Sequence, residues 1–125
     1  MWHKTISERK MHDLESNEFA KKIEGILDEK KAKDISIISI KEISILADYF
    51  VICSGTSVPH IKSLADEVEE RMEKENVKIL HKEGYNSARW ILLDYGSVVI
   101  HIFHEEDRDF YNLERLWADG IMKHR

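Results

Sequence analysis

Asp48-Tyr49-Phe50-Val51-Ile52-Cys53 is apolar at nearly every position, so a strand made from it needs cover on both faces and belongs in the middle of a sheet. Ser54-Gly55-Thr56-Ser57 breaks that strand, and Pro59 stands where a first helical residue would. Ile61, Leu64, Ala65, Val68 and Met72 then recur at helical spacing, marking an amphipathic helix that ends near Asn76. Val77–His81 resumes as a strand. A strand, a helix and a second strand in succession imply a right-handed crossover between two parallel strands.

The flanking segments complete an α/β pattern. Ser16 or Asn17 can cap a first helix, in which Phe19, Ile23, Ile26 and Leu27 form one face to about Lys31. Ile35, Ile37, Ile38 and Ile40 make a β-branched run suited to a buried strand. After a turn at Lys82-Glu83-Gly84, Arg89–Asp94 and Val98–Phe103 flank Tyr95-Gly96-Ser97 and form a hairpin. Phe110, Leu113, Leu116 and Trp117 lie on one face of a final helix. The expected order is α-β-β-α-β-β-β-α, with a mixed five-stranded sheet flanked by helices.

Composition limits what such a domain can do. At 125 residues the chain is one domain, large enough to hold a core without metals or disulfides. Its single cysteine, Cys53, excludes an internal disulfide and any CxxC site. Lys+Arg 19 against Asp+Glu 24 gives a formal net charge of −5, poorly suited to coating nucleic acid. No apolar run approaches the ~18–20 residues that span a bilayer, and no signal-like stretch opens the chain, so a cytoplasmic protein is expected. Residues 1–15 read as a loosely held extension, part of it expected to be non-native, with Met11 as an alternative start. Residues 16–120 form the domain and 121–125 a tail.

Several segments invite chemistry. The turn Gly55–Ser57, between a strand and a helix, could hold a phosphate at the helix N-terminus, as nucleotidyl- or phosphoryl-transfer enzymes do. No Asp-x-Asp follows on the next strand, Asp107-x-Asp109 opens a helix where acids serve as caps, and no GK[ST] is present. A tight turn with a cap is the favoured reading. His101 and His104 are three apart, which on a strand turns them to opposite sides, so no metal site is expected and neither is a cofactor. Cys53 near His60 could be a nucleophile, but a free cysteine ending an apolar strand reads as core. The acids of Asp66–Glu75 read as a solvated helix face, or as a surface that steers a basic partner.

Ala88–Gly96 is the hardest segment to explain as core alone. Alternation puts Trp90, Leu92 and Asp94 on one face and Ile91, Leu93 and Tyr95 on the other. Both faces are apolar in a hairpin at or near the sheet's edge. Part of that surface is therefore either open to a partner, with aromatic anchors and adjoining acids, or packed under the final helix.

Asp48–Ser57, Glu83-Gly84, Trp90–Gly96, Val98–Phe103, Arg108, Tyr111 and Leu113–Trp117, in this order and spacing, resemble the ribosomal silencing factor family, also called Iojap-related proteins. The resemblance runs from about Phe19 to Trp117. It implies a nucleotidyltransferase-like fold without catalytic carboxylates and a non-enzymatic role as a translation repressor. The implied partner is the large ribosomal subunit, bound through ribosomal protein fourteen so that subunit joining is blocked. It further implies homodimers in some members, with no membrane and no sequence-specific nucleic acid as partners. The family's partner surface falls on Trp90, Asp94 and Tyr95, with Gly96 beside them. Ser39 and Ser97 stand where members usually carry Asp, and Pro59 where they often carry Arg.

Overall fold

The computed structural model describes residues 6–111, with side chains from residue 15 to residue 108. The elements are α1 (Ile6–Glu29), β1 (Lys33–Ser39), β2 (Tyr49–Gly55), α2 (Val58–Lys74), β3 (His81–Glu83), β4 (Trp90–Asp94), β5 (Val98–His104) and α3 (Glu105–Tyr111). The strands form one mixed sheet in the order β1-β2-β5-β4-β3. β2 and β5 pair in parallel at its centre, and every other pairing is antiparallel. The α/β class, the element order and the β4–β5 hairpin match expectation.

Parity along the strands sorts the sheet's two faces. Val51 and Cys53 of β2, Ile91 and Leu93 of β4, and Ile100 and Ile102 of β5 point to one side. There they meet Ala20, Ile23 and Leu27 of α1 and Ile61, Leu64 and Val68 of α2, all fully buried. The alternate residues point the other way, where neither α1 nor α2 lies. Ile40, Ala47, Ile52 and Phe103 make a smaller cluster there, with Phe50, Trp90 and Val99 packed against it.

The caps explain where the helices stop. Lys31 and Asn76 adopt left-handed φ of 64° and 62° just past α1 and α2. The next amides, of Ala32 and Val77, donate back to the Leu27 and Met72 carbonyls at 3.0 and 2.9 Å. This closure satisfies carbonyls that would otherwise be orphaned at the helix end. At the start of α2, the Ser57 hydroxyl accepts from the His60 amide at 3.2 Å, and Pro59 occupies the first turn.

Four local expectations are corrected. α1 begins at Ile6 rather than near Ser16; residues 6–15 contain neither Gly nor Pro to stop the helix. Ser16 and Asn17 are consequently not caps. The Ser16 hydroxyl donates to Asp48 Oδ2 at 2.7 Å and the Asn17 amide to the Tyr49 hydroxyl at 3.1 Å, tying α1 to the start of β2. β1 is a half-exposed edge strand, not a buried one. The third strand is His81–Glu83, taking in two residues of the expected turn, and it lies at the far edge with β5 and β4 between it and β2. Residues 1–5, the expected apolar face at Phe110, Leu113, Leu116 and Trp117, and the tail 121–125 lie outside the described side chains.

Two glycines sit in opposite environments. A Cβ on Gly84, at φ +80°, would stand 2.0 Å from the Trp90 carbonyl oxygen, whereas one on Gly25, exposed in α1, would meet nothing within 4 Å. Gly84→Ala is therefore expected to destabilise the protein by about 2 kcal/mol or more. Gly25→Ala should stabilise it by about 0.5–1 kcal/mol. Urea denaturation of the two variants measures both signs.

Candidate functional site

The sheet face turned away from α1 and α2 carries the candidate site. Residues 40–47 fold over one end of it, with Ile40 and Ala47 buried and Ile45 and Leu46 standing out at 101% and 85% exposure. Between this loop and β3 runs a groove of about 350 Å³. Phe50, Leu92, Val99 and His101 line it together with Leu46, and Glu83 and Asp94 add carboxylates. Pairing brings Trp90 opposite Phe103, Leu92 opposite His101, and Glu83 opposite Leu92, so adjacent strands place these side chains together.

Trp90 and His101 are bonded within this face. The Trp90 ring lies 4.9 Å from Phe103, tilted by 30°, and its indole Nε1 donates to His101 Nδ1 at 3.1 Å. An indole N–H can only donate, so Nδ1 carries no proton and the neutral ring holds its proton on Nε2. His101 is 4% exposed, and Nε2 finds no hydrogen-bond partner among the described residues. Burial pushes the His101 pKa down to about 4, which keeps the ring neutral at physiological pH.

The four residues expected to meet a partner are divided by the fold. Trp90, half-buried, and Asp94 share the face turned away from α1 and α2. Tyr95 lies on the opposite face, buried beneath α1 with its ring edge-on to Phe19 at 5.7 Å, and burial and then Glu69 push its hydroxyl up to about 12. Gly96 turns the chain at φ 89° and its amide donates to Asp94 Oδ1 at 2.8 Å, so it orients the carboxylate. His101, Glu83 and the exposed Ile45-Leu46 pair were not anticipated. An apolar dipeptide in a loop that forms no strand was the available signal for Ile45-Leu46, whereas the groove-facing side of Glu83 depends on β3 pairing.

The Gly55–Ser57 turn is closed from within. The Thr56 amide donates to His60 Nδ1 at 3.0 Å, so His60 carries its proton on Nε2 and donates it to the Lys30 carbonyl at 2.9 Å. Ser57 is engaged as the α2 cap. The amide and hydroxyl that a phosphate would need are thus already bonded. Gly55 is there for packing: a Cβ would stand 2.7 Å from Ile61 Cγ1.

The family model described as "Ribosomal silencing factor during starvation" matches residues 13–124. The chain belongs to the ribosomal silencing factor family. A ribosomal silencing factor of Bacillus subtilis is 41% identical over 93 residues, covering 74% of this chain and 79% of its own. A crystal structure of a protein from Bacillus halodurans superposes with a TM-score of 0.74 at 38% identity, covering 81% of this chain and 94% of the other. One from Chromobacterium violaceum gives 0.78 at 31% identity, covering 82% and 85%.

At the three positions where the resemblance implies other residues, Ser97, Ser39 and Pro59 have defined local settings. The Ser97 backbone carbonyl, not its side chain, accepts from the Asp48 and Tyr49 amides at 2.7 and 3.1 Å. Ser39 ends an edge strand and is exposed. Pro59 fits the first turn of α2, where proline's missing N–H costs nothing. The remaining reactive-looking groups in this silencing-factor domain have structural partners. Cys53 is fully buried, and burial pushes its thiol up to about 12 against the opposing pull of Arg108. His104 Nδ1 accepts from the Glu106 amide at 3.2 Å at the start of α3, away from His101. Arg89 holds Asp107 through two bonds of 2.8 and 3.0 Å, which keeps that carboxyl below its usual range. Asp109 lies outside the described side chains. Among the described residues no three His, Cys, Asp or Glu side chains converge to hold a metal. The α2 acids are on the covered side of the sheet: Glu67 binds Arg71, Glu69 binds Lys82, and Asp66 accepts from Tyr85.

Two measurements check these assignments. The native thiol of Cys53 should resist Ellman's reagent at pH 8 and react fully in denaturant. His101 binds its proton more weakly folded than unfolded, so between its ordinary 6.5 and about 4 the unfolded chain holds more protons. Stability should fall as pH drops through that window, and His101→Phe should make the decline shallower. Denaturant titrations across pH measure the slope.

Proposed function

We propose that this chain represses translation by docking its open sheet face on the large ribosomal subunit, through the basic ribosomal protein fourteen, and so hinders subunit joining. The observation that carries the reading is the apolar, acid-edged face of β4 and β5, left uncovered by α1 and α2 in a chain of the ribosomal silencing factor family. Relatives bearing that name support the same role. The mechanism is occlusion, so binding free energy sets its strength and no catalytic residue is required. The protein works in the cytoplasm; no helix among the described residues is long and apolar enough to cross a membrane.

Physical chemistry divides the labour on this face. Trp90 provides a large, rigid area held in place by Phe103 and His101. Leu46 and Ile45 extend it with apolar surface that the isolated domain leaves in water. Asp94 and Glu83 favour a cationic partner and disfavour phosphate, which selects a protein epitope over bare ribosomal RNA. Nucleotide transfer at Gly55–Ser57 is the weaker reading, because the turn spends its amide and hydroxyl internally.

Co-sedimentation with purified large subunits tests the proposal. Trp90→Ala should weaken binding by about 2–4 kcal/mol, roughly 30- to 1000-fold. Leu46→Asp, at an 85% exposed position, should weaken it with the melting temperature unchanged. Asp94→Asn keeps an acceptor for the Gly96 amide while removing the charge, so binding should drop and lose part of its salt dependence. Wild-type levels of all three variants in the large-subunit fraction would place the contact elsewhere.

A further inference from the structure

Beside the groove, the neutral His101 ring holds a buried N–H that no described residue accepts. Trp90 fixes the tautomer by donating to Nδ1, and Nε2 is left protonated, shielded from water and unpartnered among the described residues. Buried donors are nearly always paired, so an orphan in a groove of a binding domain points to a group supplied from outside. The groove's chemistry narrows that group. Among the described residues its lining contains no Lys or Arg, and the carboxylates of Glu83 and Asp94 stand on it beside His81, which is itself hydrogen-bonded to Glu83 at 2.6 Å. An incoming carboxylate would be repelled there, and so would a phosphate. A neutral oxygen flanked by cationic side chains suits both features.

We propose that His101 is a specificity-determining residue for docking: as a basic protein seats between residues 40–47 and β3 and the side chains over the imidazole move aside, Nε2–H donates to a backbone carbonyl of an extended segment of that protein. The proposal rests on the docking reading above and adds the atom that tells a seated main chain from mere apolar contact. Phe50, Leu92 and Val99 exclude water from the bond, while Glu83 and Asp94 pair with the segment's cations at the edge. Trp90 thereby has a second role, since without its indole the imidazole proton could sit on either nitrogen.

Purified ribosomal protein fourteen, titrated into the full chain, serves as the probe. Long-range proton–nitrogen spectra of the free protein should show His101 protonated at Nε2 and bare at Nδ1. On binding, the Nε2 proton should move downfield. His101→Phe removes the donor and should weaken binding about tenfold. His101→Gln, whose amide can reach a similar position, should recover much of that loss. Binding of the wild type with an unmoved Nε2 proton, or with equal affinity for the Phe variant, overturns this proposal and leaves the docking reading standing. No binding of the wild type overturns the docking reading, and this one with it. Should both variants misfold, the wild-type spectrum alone decides.

Discussion

The parallel pairing of β2 with β5 is the constraint on which the rest of the molecule depends. Seven consecutive register pairs, from Tyr49 with Val98 to Gly55 with His104, lock the two strands together at the sheet's centre. Parallel neighbours cannot be joined by a tight turn, so the intervening chain has to leave the sheet and return. It does so through α2, β3 and β4, which places α2 on one face and the hairpin beside β5. The register also fixes which residues share a side. A slip by one position would send Val51, Cys53 and Ile100 away from the helices and bring Phe50 and His101 beneath them.

That one-sided arrangement is what makes a surface available. α1 and α2 both pack on the Val51–Ile100 side, because their apolar faces and the mostly aliphatic residues there complement each other. On the other side β2, β4 and β5 carry a different set: aromatic rings, one imidazole and carboxylates. Such a mixture suits a partner that brings both apolar contact and charge. Residues 40–47 shield part of it, and the Ile45-Leu46 pair they expose enlarges the apolar area instead of closing it.

Much of this was legible in the residues. The uninterrupted apolar run of β2 marks a central strand, the spacing of Ile61 to Met72 marks α2, and alternation in β4 puts Trp90 and Asp94 on one face. What escaped was decided by distant contacts. Nothing local distinguishes Val77–His81 from His81–Glu83 as the third strand; pairing with Leu92, Leu93 and Asp94 makes the choice. Ser16 looks like a cap in sequence, yet thirty-two positions away Asp48 offers it a better bond. Tyr95 is the reverse case: alternation alone puts it opposite Asp94, where it lies under Phe19, and only the family resemblance groups the two.

The charge is informative in the same way. A total of −5 says only that the chain would avoid phosphate; its placement says more. The acids of α2 are mostly bound to neighbouring Lys and Arg side chains on the covered side, where Arg71 bridges Glu29 and Glu67 and draws both carboxyls below their ordinary range. The carboxylates on the open face are spent differently. Asp94 is held by the amide of Gly96, a bond that orients the group and leaves its charge uncancelled, and Glu83 by a histidine on its own strand. A few acids oriented beside an apolar groove discriminate between partners more sharply than many acids neutralised along a helix, because among the described residues no Lys or Arg already holds them.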